Sequence, residues 1–148
     1  MSQTLKIILS IIGFSFLGFI IYIGITLNNI FGVDNMCGTN FAESTLSPNG
    51  KLKVLVFSVS CGAISDFGTQ ISIVQSDYKL KENDAGNIFS ADSDHGIAKM
   101  NESREIIELK TKWLNDNSVE IKYPENARIF KIEENKDGVN VAYKKIKY

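Results

Sequence analysis

From Ile7 to Leu27 the chain carries no charged residue and is built mostly of Ile, Leu, Phe and Gly. As a helix rising about 1.5 Å per residue, this run is roughly 31 Å long and matches a hydrocarbon core of about 30 Å. It is long enough to span a bilayer. A cleaved secretory signal has a shorter apolar region, about 7 to 15 residues, and ends in small residues. Here Ile20 to Leu27 runs straight into Asn28 and Asn29. Cys37 does not read as a lipoprotein anchor either, because Asp34, Asn35 and Met36 precede it and it lies well past the apolar run. The expectation is an uncleaved signal anchor: residues 1–27 as cytoplasmic N-terminus and transmembrane helix, 28–40 as a linker with an apolar insert at Ile30, Phe31 and Val33, and 41–148 as an extracytoplasmic β domain. Lys6 precedes the span, and no Lys or Arg follows it before Lys51, so the N-terminus is placed in the cytoplasm.

The cysteines give an independent indication of compartment. There are two, Cys37 and Cys61, and both fall beyond the span. An even pair in a small exported domain reads as a disulfide, although two buried thiols in a cytosolic domain have the same composition. Zinc is disfavoured, since two cysteines and the single His95 leave the tetrahedral set incomplete and show no Cys-x-x-Cys spacing. A formal net charge of −1 with mixed signs supplies no concentrated basic field, so nucleic acid is not an expected partner.

Beyond the linker the apolar period is two. Ser47-Pro48-Asn49-Gly50 is a turn between Phe41–Leu46 and a strand over Lys51–Ser60 whose two faces are both apolar. Thr69–Gln75 follows, then a polar middle, Ser76–Met100, with a short strand around Ile88 and Phe89. Glu105–Leu114 alternates Ile107, Leu109 and Trp113 against Glu108, Lys110 and Lys112; its Glu and Lys content also allows a helix, but the Asn115-Asp116-Asn117 turn favours a strand. Val119, Ile121 and Tyr123 form another inward row, and Asp137-Gly138 suggests a hairpin joining Arg128–Glu133 to Val139–Ile146. The expected fold class is mainly β: an N-terminal transmembrane helix followed by a mostly antiparallel β-sandwich or partly open barrel of about seven or eight strands.

Functional groups concentrate in Asp92-Ser93-Asp94-His95-Gly96. As a calcium loop it is incomplete, with His95 at the third ligand position and no bidentate Glu at the required distance. As a nucleophilic site, His95 would serve Ser93 or Ser90 with Asp92 or Asp94 orienting it, but near neighbours on one turn point apart. Glu102, Glu105 and Glu108 could face Asp92 as paired carboxylates, though nothing fixes their separation. A solvated loop is the plainer expectation. Lys144, Lys145 and Lys147, with Lys131 on a paired strand, read as an edge defended against aggregation or as a small basic end for lipid or an acidic partner. Trp113 reads as core. No metal, cofactor or catalytic residue is expected, and the chain is not expected to be an enzyme.

Three segments taken together resemble a family of small uncharacterised bacterial proteins that are membrane-tethered or exported. They are Cys61-Gly62-Ala63 with Phe67-Gly68-Thr69-Gln70, Gly86-Asn87-Ile88-Phe89-Ser90-Ala91-Asp92, and Trp113-Leu114 before a strand ending in Tyr123. The Ser47–Lys51 turn belongs to the same pattern, and the resemblance covers roughly 37–148. It implies a tethered domain and supplies no activity. The candidate binding surface drawn from these segments and from the acidic loop after them is Phe67, Thr69, Gln70, Asp92, Asp94 and His95. The expected function is a single-pass protein of the bacterial inner membrane whose disulfide-stapled domain, periplasmic or extracellular, binds a protein of the envelope, an immunity or inhibitor role being one form. The alternatives are an envelope hydrolase using Asp92, Asp94 and His95, and an assembly factor acting through its helix, although Gly13, Gly18 and Gly24 lack Gly-x-x-x-Gly spacing.

Overall fold

A computed structural model describes residues 3–31, 37–62 and 67–148, with side chains in the first stretch described as far as Leu27. The chain divides into two compact units, Met1–Met36 and Cys37–Tyr148. The first is one helix, α1, Gln3–Phe31. Its segment Gln3–Leu27 is long and apolar enough to cross a membrane, and its large apolar side chains are exposed on every side. A helix that is apolar all round has no single face to bury against a soluble core. The apolar insert expected at Ile30, Phe31 and Val33 lies outside the described side chains.

Among its described residues the second unit holds nine strands: β1 Gly38–Leu46, β2 Leu52–Ser60, β3 Gly68–Gln75, β4 Phe89–Asp92, β5 Lys110–Asn115, β6 Ser118–Pro124, β7 Arg128–Ile132, β8 Asn135–Lys136 and β9 Val139–Ile146. They form two mostly antiparallel sheets, β1-β2-β3-β4-β7 and β5-β6-β9-β8. Inward residues of both sheets share one core, with Val54, Val56, Ile71 and Phe89 from the first and Trp113, Val119, Ile121 and Val141 from the second. The alternation that marked these strands in the sequence is the alternation of buried and exposed side chains along a pleated sheet. β2 is an interior strand, paired with β1 and β3, and is buried on both faces along Val54–Ser58, as its doubly apolar pattern requires.

Local turn chemistry sets the hairpins. Gly50 adopts φ +69° and its N–H donates to the Ser47 carbonyl (2.9 Å), while Leu52 N donates to Ser47 Oγ (3.0 Å). The Cys37–Cys61 disulfide closes the open end of the β1–β2 pair, one step beyond the Gly38↔Ser60 partners. β1 therefore begins inside the expected linker, which is shorter than 28–40, because Gly38–Asn40 already pair with β2.

Three expectations need correction. Asp137 and Gly138 both take positive φ and form a tight turn, but its first arm is the two-residue β8 rather than Arg128–Glu133. β7 instead crosses to the first sheet and pairs with β4. The chain returns through β8 at the end of the sandwich where β6 begins, so β9 runs parallel to β6, from Ser118↔Asn140 to Pro124↔Ile146. Lys131 consequently lies in a different sheet from Lys144 and Lys145, its Nζ donating to the Gly86 carbonyl at 3.3 Å. The strand expected over Glu105–Leu114 starts at Lys110. Ile107 is held apart from it by a bridge to Met100 and by its N–H donating to Thr69 Oγ1 at 2.9 Å.

Among the hydrogen bonds that tie the sheets, two come from aromatic side chains. Trp113 Nε1 donates to the Thr45 carbonyl (2.9 Å), linking β5 to β1. Tyr143 Oη, from β9, lies 2.9 Å from the Ile88 carbonyl just before β4. A buried indole or phenol needs such a partner, which places the two aromatics at opposite seams of the core.

Candidate functional site

The Asp92–Gly96 stretch begins with the last residue of β4. It is not the solvated loop that its composition suggests: Asp92 and Ser93 are 4% and 2% exposed, while His95, Gly96 and Ile97 face solvent. Burial follows from an antiparallel pairing. Asp92 stands opposite Arg128 on β7, and the guanidinium meets the carboxylate as a fork, Nε to Oδ1 at 3.0 Å and Nη2 to Oδ2. Arg128 Nη1 also lies 3.5 Å from Asp94 Oδ1. Burial by itself would raise the Asp92 pKa. Hydrogen bonds from Arg128 and from the Asp94 N–H, together with the charges of Arg128 and His95, outweigh it and hold the carboxyl below its ordinary range.

The rest of the loop is shaped by its own polar groups. Asp94 N donates to Asp92 Oδ1 (2.9 Å), Gly96 N to Ser93 Oγ (2.8 Å) and Ala98 N to the Ser93 carbonyl (2.8 Å). Asp94, His95 and Gly96 all take positive φ, 51°, 60° and 85°. These are residue types that tolerate the left-handed region, Gly freely and Asp and His more than most. Asp92 and Ser93 thus shape the turn, and both Asp92 oxygens are occupied. Among the described residues, no group of three His, Cys, Asp or Glu side chains gathers to hold a metal.

The other expected surface residues separate. Thr69 is fully buried and faces the core side, accepting from Ile107 N. Gln70 faces the opposite side of the sheet. Its Oε1 accepts from Gly86 N (2.9 Å) and its Nε2 donates to Ser90 Oγ (2.8 Å). Asn87 acts like a strand edge, taking the Ile73 N–H on Oδ1 (2.9 Å) and giving Nδ2–H to the Ile73 carbonyl (2.8 Å). Gly86 is buried where a Cβ would lie 2.3 Å from the Phe89 carbonyl oxygen. The Thr69-Gln70 and Gly86–Asp92 segments therefore brace each other and build a sheet, not one exposed surface. Of the neighbouring Cys61–Gly68 loop, residues 63–66, which include Ala63 of the Cys-Gly-Ala segment, lie outside the described residues.

Phe67 is brought to the loop. With Ser93, Gly96, Lys99, Met100 and Arg104 it lines an open cleft of about 460 Å³. An apolar wall from Phe67 and Met100 and cationic groups from Lys99 and Arg104 suit a ligand of mixed apolar and anionic character. Lys99 is partly held already, its Nζ 4.3 Å from the Tyr148 ring centroid. Sequence reading missed Arg128 and this cleft. Arg128 carries no local signal, because its partner is 36 residues away. The partner of Asp92 is the Arg128 guanidinium rather than a second carboxylate from Glu102, Glu105 or Glu108.

No protein-family model matches the chain, and no curated protein or solved structure matches it either.

Proposed function

We propose that the chain is a single-pass protein of the bacterial inner membrane, anchored by α1 with its N-terminus in the cytoplasm, and that its disulfide-stapled β domain stands on the far side and binds a protein of the cell envelope. The combination of an all-round apolar helix with a disulfide in the adjoining domain carries this reading. A disulfide persists in oxidising compartments and is reduced in the cytosol, so the bond supports a place outside the cytosol for a domain that the helix would tether.

Binding is favoured over hydrolysis by the state of the acidic loop. A general base must accept a proton near neutral pH, whereas Asp92 is held ionised by Arg128 with both oxygens occupied. The test is cysteine-accessibility mapping in intact cells with a membrane-impermeant thiol reagent, with and without reductant. Labelling of Cys37 and Cys61 only after reduction from outside supports the reading. Free labelling from the cytosolic side without reductant overturns it.

A further inference from the structure

Four strands form the edges of the two sheets: β1 and β7 in the first, β5 and β8 in the second. An edge strand presents a row of unpaired N–H and C=O groups, and folded proteins guard such rows with lysines, bulges or extreme shortness. β7 carries Arg128 and Lys131, and its pairing with β4 is broken by a register shift. β5 carries Lys110 and Lys112. β8 has two residues, and the length of β9 beyond it carries Lys144 and Lys145.

β1 differs. Its nine residues, GTNFAESTL, include no Lys, Arg or Pro, and along Gly38–Ser44 the guards among the described residues are the single charge of Glu43 and one register shift between Phe41 and Glu43. All of its side chains except Thr39 are exposed, Phe41 at 59%. Its far end is covered, since the Thr45 carbonyl accepts from Trp113. From Gly38 to Ser44, the described residues show no backbone pairing other than with β2.

We propose that this edge, Gly38 to Ser44, is the docking site for an extended segment of a protein partner, which adds to the first sheet as a sixth strand. Only another extended backbone offers donors and acceptors at the spacing of an open strand edge, about 3.3 Å per residue. The exposed side chains state what that segment carries: an apolar residue against Phe41 and a cationic one against Glu43, the one charge on the strand. The proposal rests on the reading that the domain binds a protein, and it names where and by what geometry.

The test uses the full chain, oxidised, in detergent micelles, against a displayed library of random dodecamer peptides. Selected peptides alternate apolar residues and carry Lys or Arg. Their affinity falls about tenfold or more in F41K/E43K and is unchanged in Phe130→Lys on the opposite edge. Hydrogen exchange slows at the N–H groups of 38–44 when peptide is added. A peptide N-methylated at alternate residues loses binding to the unaltered protein, which checks strand addition without relying on a variant that has to fold. Failure to select any peptide, equal binding to F41K/E43K with β2 and β3 still protected, or protection confined to the Phe67 cleft overturns the proposal. So does a concentration-dependent dimer abolished by F41K/E43K, which makes a second copy the occupant. Because the assay is independent of compartment, its failure leaves the topology result untouched, and a cytosolic location leaves the edge result untouched.

Discussion

Arg128 on β7 holds the carboxylate of Asp92 at the end of β4, Nε to Oδ1 at 3.0 Å, across two strands that are 36 residues apart in the chain. The pair joins the last strand of the first sheet to the loop that carries most of the functional groups. Removing the guanidinium leaves a buried carboxylate without its partner. Arg128→Ala is therefore expected to cost roughly 1–3 kcal/mol in denaturant unfolding, and Arg128→Lys recovers only part of this, because an ammonium cannot reproduce the two-pronged contact.

The same pair sets an acid dependence. The Asp92 pKa is lower in the folded chain than in the unfolded one, so the unfolded chain takes up the proton first as acid is added. Its stabilising contribution is complete above the ordinary carboxylate range, about pH 4, and is lost as pH falls through the folded value. Thermal unfolding measured from pH 7 down to pH 2 shows this loss in the parent chain and a shallower one in Asp92→Asn. Equal acid sensitivity in the two proteins would refute the assignment.

Gly86 has no room for a side chain. A Cβ would meet Phe89 O at 2.3 Å, Gln70 Oε1 at 2.8 Å and Ile71 N at 3.0 Å, and two of these are backbone atoms of paired strands. Gly86→Ala is expected to lose roughly 3 kcal/mol or more. Gly38→Ala, with nothing within 4 Å of its added Cβ, serves as the matched control and stays within about 1 kcal/mol of the parent.

The Cys37–Cys61 bond joins residues 24 positions apart in the chain. The chain-entropy model assigns such a loop about 3–4 kcal/mol. Reduction, or replacement of both cysteines by serine, is expected to lower the midpoint of unfolding by an amount of this order. Hydrogen exchange rises first at Gly38–Asn40 and Ser58–Ser60, the pairs next to the bond. A reduced protein as stable as the oxidised one would show that the β1–β2 ladder alone holds that end.

The two seams differ in cost. Tyr143→Phe removes a hydroxyl that lies 2.9 Å from both the Ile88 and the Glu133 carbonyls, the first of which still accepts from Glu133 N at 2.9 Å, so about 0.5–1.5 kcal/mol is lost. Trp113→Phe removes the indole donor to Thr45 and part of a buried ring, and roughly 2–4 kcal/mol is expected. Parallel urea titrations of the two variants compare the seams directly.

Much of this architecture was legible in order of residues. The uncharged run before Asn28 marked the helix, the doubly apolar run in 52–60 and the alternation in 119–123 marked strands, and Ser47–Gly50 and Asp137-Gly138 marked turns. Each of these signals is local, since a helix, a pleat or a tight turn is decided by neighbours within a few residues. The candidate site was legible only in part. The acidic loop stood out by composition, but its burial did not, because Arg128 is distant in sequence and a lone arginine beginning a strand has no pattern of its own.

By itself, then, the sequence determined an apolar helix, a set of half-buried strands and a pair of cysteines placed beyond the helix. Only the tertiary structure decided that β7 leaves its expected hairpin for the first sheet, that β9 runs parallel to β6, that Gln70 and Gly86 brace one another, and that β1 is left as the least guarded edge. The reason is physical: periodicity records which face of a segment avoids water, whereas the identity of a strand's neighbour depends on the packing of every other strand and leaves no mark on the segment itself.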